Sequence, residues 1–303
     1  MEMRRLGRTG LQVSAIGLGT MMFGEKTGAA EATRIIDAGI AAGVNLIDVA
    51  DIYAGGESER IVGEALQGRR HQVILATKGG RPTPLGAGLS RRYLYQAVEA
   101  SLTRLRTDWI DLYQVHRFDP ETPLAETLGA LTDLVHAGKI RYLGCSNFAA
   151  WQLCKALWIS DKRLLARFDS VQPRYNLVYR DAEQELFPLC LDQGVGVLAY
   201  SPLAGGILTG KYLTDVPEGA RGYQNPQWQA ARLTATAQVA ANRVTETAME
   251  LGKTPGQVSL RWCLAHPAVS SALVGPRTEA QWTEALAAAD WSLPPEVASQ
   301  LST

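Results

Sequence analysis

At 303 residues the chain has room for one large domain or two small ones, and its 46% hydrophobic and 20% charged residues are ordinary for a globular protein. Thirty basic residues balance thirty acidic ones, so no global field points to nucleic acid or an acidic membrane surface. The four cysteines lack metal-ligand or Cys-x-x-Cys spacing, Met1-Glu2-Met3-Arg4-Arg5 opens no signal sequence, and no apolar run is long enough to span a bilayer; a cytoplasmic chain with reduced thiols is expected.

In chain order, Arg4–Leu6 and Leu11–Val13 flank Gly7-Arg8-Thr9-Gly10, which predicts a small hairpin. Ala15–Gly19 reads as the first buried strand. Apolar spacing at Ile35, Ile36, Ile40 and Ala41 predicts a helix over Glu31–Ala42 that Gly43 closes. Leu46–Ile47 is the second strand, and Ser58 is expected to cap a helix containing Ile61, Val62 and Leu66. Val73–Thr77 is the third strand, followed by a long helix from Ser90 through Leu105. Ile110–Val115 is the fourth, followed by a helix over Leu124–Ala137. Tyr142–Cys145, Ser170–Gln172, Val195–Tyr200 and Ser271–Val274 complete eight strands, with helices expected at Trp151–Trp158, Glu183–Leu191, Ala230–Leu251, Pro255–His266 and Glu279–Ala289. Residues 204–229 are irregular and too long for a simple connection, which marks a functional loop. Continuous apolar strands alternating with helices, without a linker, predict one closed (β/α) barrel over residues 1–303.

Chemistry collects at the strand ends. Asn45–Tyr53 ends a strand on Asp48 and carries Tyr53 into a glycine-rich loop; the next two strands run into Lys78 and His116. In such a barrel, strand C-termini share one face. Four complementary groups there suit carbonyl reduction, which needs a proton for the developing alkoxide. Tyr53 is the candidate donor, with a reference pKa of about 10 that a neighbouring Lys78 would lower. Asp48 would hold Lys78, and a neutral His116 would polarise the substrate oxygen. Singly, each has an ordinary explanation: a turn cap, a loop aromatic, a solvated lysine, a core histidine.

The second half offers groups for a nicotinamide-type ligand. Ser146, Asn147 and Gln172 sit at strand ends, where amides and hydroxyls can meet a carboxamide or simply cap backbone. Tyr200 can stack on a planar ring, and Gly205-Gly206 lets backbone approach a pyrophosphate. Lys211 and Arg277, the latter just before a helix after the last strand, are candidates for phosphate. A competing dinucleotide fingerprint at Gly17-Leu18-Gly19 fails, because Met22 stands where a third glycine is needed and Asp48 lies too far on.

Taken together, Gly17-Leu18-Gly19-Thr20, Asp48-Val49-Ala50-Asp51-Ile52-Tyr53, Ala76-Thr77-Lys78, Asp111–His116, Gly138–Phe148, Tyr200-Ser201-Pro202-Leu203 and Val274-Gly275-Pro276-Arg277 resemble the aldo-keto reductase superfamily over nearly the whole chain. Tyr175-Asn176-Leu177 and Leu208–Tyr212 are similar to the branch that includes potassium-channel β subunits and bacterial general-stress reductases. The resemblance implies a (β/α)8 TIM barrel with an N-terminal hairpin capping its bottom. It implies NADPH-dependent reduction of an aldehyde or ketone to an alcohol, with Tyr53 as proton donor and Asp48, Lys78 and His116 completing the tetrad. It places the cofactor against Gly19, Thr20, Met21, Ser146, Asn147, Gln172, Tyr200, Ser201, Pro202, Leu203, Gly205, Lys211, Gly275, Arg277, Gln281 and Glu284. Two positions depart from the family pattern. Val49 replaces the usual Thr, and Ala285 stands where an Asn would contact the adenine.

The alternative from another class is a cofactor-sensing regulatory subunit, which would bind NADPH tightly and turn over slowly. A barrel hydrolase has no metal-ligand cluster or nucleophile elbow to support it. Substrate choice is expected from the loops around Met22-Phe23, Gly80–Leu89, Arg117-Phe118 and Gly222–Trp228. There Phe23, Phe118 and Trp228 point either to a partly apolar pocket or to packing within the loops. The partner is a small carbonyl compound of open identity, and the oligomeric state is not readable.

Overall fold

The computed structural model describes residues 1–303. A two-stranded antiparallel hairpin opens the chain, β1 (Met3–Arg5) against β2 (Gln12–Ser14). Eight parallel strands then close into a barrel: β3 (Ile16–Gly19), β4 (Leu46–Asp48), β5 (Ile74–Gly79), β6 (Ile110–Val115), β7 (Ile140–Ser146), β8 (Phe168–Gln172), β9 (Gly196–Tyr200) and β10 (Val269–Val274). They stand in chain order around the ring, and β10 pairs with β3 at Ala272–Ile16 to complete it. Nine helices fill the crossovers: α1 (Ala29–Ala41), α2 (Glu57–Ala65), α3 (Arg91–Leu105), α4 (Leu124–His136), α5 (Ala150–Arg163), α6 (Leu186–Gln193) and, between β9 and β10, α7 (Pro226–Arg232), α8 (Ala235–Leu251) and α9 (Pro255–Ala265). α10 (Glu279–Leu286) and α11 (Pro295–Leu301) follow.

The strands are apolar on both faces because each is covered by helices outside and by other strands' side chains inside. Leu6 and Val13 of the hairpin pack with Leu46, Ala76, Leu112, Leu198 and Leu273, so the hairpin closes the end where the strands begin. Gly7 makes that closure possible. Its φ is +57°, and a Cβ there would come within 2.5 Å of the Gly194 carbonyl oxygen. The opposite end, where the strands finish, is not covered by the hairpin.

Several helix boundaries differ from the sequence expectation. Ser58 does not cap α2. The N-cap is Gly56, at φ +95°, and Ser58 lies inside the helix, fully buried, donating to the Thr20 carbonyl oxygen at 2.9 Å. The helix expected over Ala230–Leu251 is two helices, because Thr234 takes extended backbone and its hydroxyl accepts from the Ala237 N–H at 3.3 Å. Such a hydroxyl competes with helix continuation. Asn225 and Pro226 start α7 within the stretch expected to be irregular. α11 went unread because only Leu301 in it is buried, too little for a periodic signal. Ser90 caps α3 as expected, accepting from the Tyr93 N–H at 3.4 Å.

Candidate active site

β4, β5 and β6 deliver Asp48, Lys78 and His116 to one end of the barrel, and a short 3-10 turn at Tyr53–Gly56 brings Tyr53 over them. The Lys78 ammonium is fully buried. Its Nζ donates to Asp48 Oδ2 at 2.5 Å, to the Val49 carbonyl oxygen at 2.7 Å and to the Tyr53 hydroxyl at 3.3 Å. Val49 therefore takes part through its backbone, while its side chain lies in the core, so its difference from Thr leaves the contact intact. The rings of Tyr53 and His116 meet edge to face, with centroids 6.2 Å apart.

Asp48 is held from a second side. The amide nitrogens of Gln172 and Gln114 donate to its Oδ1 at 2.8 and 3.0 Å. Gln114 is a site residue that sequence reasoning passed over. The signal was there: Leu112 and Gln114 in β6 and His116 just past its end alternate and so share one face.

Burial decides the protonation states. Desolvation pushes the Tyr53 phenol above its usual value, and the pull of Lys78 in the opposite direction does not overcome it. The expected lowering is thus reversed, and Tyr53 keeps its proton at neutral pH. Burial draws Lys78 down, but Asp48 and Tyr53 more than reverse it and leave the ammonium charged. His116 falls to about 3, first through burial and then through Lys78, Arg81 and Arg117. It is a neutral imidazole, and its buried Nδ1 has no partner in the chain.

Beneath this group lies a second buried cluster absent from the sequence reading. Glu59, fully buried, accepts from Thr77 Oγ1 and from Arg104 Nε, both at 2.6 Å. Beside it Asp51, on the loop between Asp48 and Tyr53, is pushed up to about 7 by burial and by Glu59. Its backbone N–H is fixed to the Lys78 carbonyl at 3.0 Å, so the two clusters share β5.

Asp48, Tyr53 and His116 open onto a cavity of about 860 Å³. Every residue proposed to touch the cofactor lines it: Gly19, Thr20, Met21, Ser146, Asn147, Gln172, Tyr200, Ser201, Pro202, Leu203, Gly205, Lys211, Gly275, Arg277, Gln281 and Glu284. Several are tied to each other. The Ser146 hydroxyl donates to the Gln172 carbonyl oxygen at 2.9 Å, and the Tyr200 hydroxyl donates to Asn147 Oδ1 at 2.9 Å. Asn147 holds φ +56°, which turns the chain out of β7 into the cavity. At the far end Arg277 donates to the Gly219 carbonyl oxygen at 2.7 Å, and Gln281 accepts from the Arg277 N–H at 3.0 Å. Arg221, not named from the sequence, joins Lys211 and Arg277 there and is half-buried. It lies in the irregular segment, where no periodicity assigns a side chain to a face. Ala285 lines the same end with a methyl group in place of an amide.

Phe23, Phe118 and Trp228 do not line the cavity. Phe23 is fully buried, Phe118 packs edge to face on Phe148 and Trp151, and Trp228 packs on Tyr212. Of the two readings of these aromatics, packing within the loops holds.

Comparison with known proteins agrees with this architecture. The sequence profile of the Aldo/keto reductase family matches residues 15–303. The chain belongs to the aldo/keto reductase family. It is 39% identical to the uncharacterised oxidoreductase YrpG of Bacillus subtilis, over 100% of this chain and 95% of that protein. It is 35% identical to a versiconal hemiacetal acetate reductase of Aspergillus parasiticus, over 98% and 94%. A probable voltage-gated potassium channel subunit beta of Arabidopsis thaliana is also 35% identical, over 96% and 92%. Membership in the family and these named relatives make the general role that of an oxidoreductase. No helix is long and apolar enough to cross a membrane.

Proposed function

We propose that this protein is an NADPH-dependent carbonyl reductase acting in the cytoplasm, in which Tyr53 protonates the substrate oxygen. One observation carries the reading: a buried Lys78 joins Asp48 and the Tyr53 hydroxyl beside the neutral His116, at the wall of a cavity large enough for a dinucleotide and a small substrate. The residues fit the cofactor. Gln172 commits its amide nitrogen to Asp48, leaving its Oε1 to accept from a carboxamide. Lys211, Arg221 and Arg277 stand together without a carboxylate in ion-pair distance; burial, then Arg277 and Arg221, draw Lys211 below its usual value, and burial, then Arg277 and Arg232, do the same to Arg221. A phosphate is the ligand that such a set accepts.

When bound, NADPH supplies the hydride. The protein supplies the proton and its control. Tyr53 donates from its hydroxyl to the oxygen as charge develops there, and Lys78 stabilises the phenolate left behind. Asp48 keeps Lys78 aimed and charged, while Gln114 and Gln172 keep Asp48 in place. His116, an uncharged donor, polarises the carbonyl without competing for the proton. The potassium-channel relatives keep a sensing role in view, but the complete tetrad favours turnover. Titration with NADPH and with NADH, followed by turnover on a panel of aldehydes, tests the reading. Tight NADPH binding with turnover is expected; binding without turnover on any aldehyde would move the assignment to a sensor, and no binding would end both.

A further inference from the structure

Three arginines that line the cavity have no part in the reaction as described: Arg81 and Arg117 act on His116, and Arg232 acts both on Tyr200 and on Arg221 toward the far end. Arg81 follows β5 three residues past Lys78, Arg117 follows His116 directly, and Arg232 ends α7. All three line the cavity, and they reach it from three separate segments. Arg232 and its neighbour Arg174 are steadied over one ring, with guanidinium carbons 5.8 and 3.5 Å from the centre of Tyr179. Their charge bears on the reacting groups. Arg81 and Arg117 help depress His116, and Arg174, Arg232 and Arg81 act on Tyr200.

None of these guanidiniums has a carboxylate in ion-pair distance. Other partly buried arginines do have such partners, Arg70 with Asp111, Arg104 with Glu59 and Arg180 with Glu183. The acidic residues of the cavity lie out of their reach in effect. Asp48 is taken by Lys78, Glu25 acts on Arg221, and Glu284 acts on Lys211, at the other end. Like charges gathered at a concave opening repel one another and focus a positive field on what enters. In a chain whose formal charge is zero, that concentration in the cavity calls for an anion. Of the loop aromatics, Phe23 is buried and Phe118 and Trp228 pack on other rings, so none of the three lines the cavity.

We propose that the substrate is a carbonyl compound bearing an anionic group, carboxylate or phosphate, which Arg81, Arg117 and Arg232 bind while its carbonyl meets Tyr53 and His116. This rests on the reductase reading above. The carbonyl carbon gains the hydride, the oxygen gains the Tyr53 proton, the nicotinamide is left oxidised, and solvent returns a proton to the phenol. The anionic group itself is unchanged.

The test compares kcat/KM, with NADPH at low salt, for para-carboxybenzaldehyde against benzaldehyde and for glyceraldehyde phosphate against glyceraldehyde. The charged member of at least one pair should exceed its neutral partner by about tenfold or more, as charge-assisted contacts would give. Which pair responds tells carboxylate from phosphate. The preference should fall toward one in the double variant Arg81→Gln/Arg117→Gln, whose positions are both exposed, and should shrink at high salt. Neutral aldehydes turned over as well as charged ones by the wild type, or a preference that survives the double variant, would overturn the proposal and leave the reductase reading standing. No turnover of any of the four would end the reductase reading and this one with it.

Discussion

The Lys78 end and the Lys211 end of the cavity hold their charge in opposite ways. Lys78 is buried and fully compensated, with Asp48, the Val49 carbonyl and the Tyr53 hydroxyl within hydrogen-bonding reach. Lys211, Arg221 and Arg277 are only partly buried, lack an ion-pair partner, and two of them lie below their usual pKa. A compensated charge fixes geometry and protonation inside the protein. An uncompensated one is completed by a ligand. Under the proposed function the Lys78 end would carry the proton transfer and the Lys211 end the cofactor phosphate, so each end has a distinct failure when altered.

The largest expected effect is at the compensated end. Tyr53→Phe should lower kcat by about 100-fold to 10,000-fold, the usual worth of a positioned acid, while NADPH affinity stays near wild type. Rapid-quench turnover beside a binding titration measures both, and activity within tenfold of wild type would remove Tyr53 from its role. Next, Lys78→Met should cost stability as well, about 3–5 kcal/mol, because it strands the buried Asp48 charge. Lys211→Met, with no partner to strand, should leave stability close to wild type. Urea melts of the two variants test the contrast directly, and equal losses would break it.

At the uncompensated end, Arg277→Ala should weaken NADPH by roughly tenfold, since a hydrogen bond to a charged group is worth about 1.5–3 kcal/mol, and NADH by much less. Equal loss for the two cofactors would argue against a phosphate contact. The smallest effect concerns the second buried cluster. Asp51 holds its proton to about 7 when folded, against about 4 when unfolded. Between those values the folded state binds the extra proton, so this group makes stability fall as pH rises. Asp51→Asn should therefore match wild type near pH 4 and melt higher by pH 8, each kcal/mol being about 2–4 °C. His116, depressed to about 3, pulls the opposite way, its contribution growing as pH rises through the acid range, but it is common to both proteins and cancels in the difference. A constant gap in melting temperature across pH would show that Asp51 does not titrate in this window.

Much was written in the sequence because it is local. Continuous apolar runs mark the barrel strands, and each chemical residue stands at or beside its own strand end, so Asp48, Lys78 and His116 are found by spacing alone. Part of the cavity lining, Ser146, Asn147, Gln172 and Tyr200, was legible for the same reason, whereas Gln281 and Glu284, inside α10, were named only through the family resemblance. Three things were decided only in the tertiary structure. The protonation of Tyr53 depends on whether burial or Lys78 prevails, and burial is a property of the whole packing. The roles of Gln114, Glu59 and Asp51 depend on neighbours from other strands and helices, which no local pattern names. The arginines at the opening acquire meaning from what is missing around them. A sequence records that Arg81, Arg117 and Arg232 are charged, but only folding determines that no carboxylate comes near enough to neutralise them.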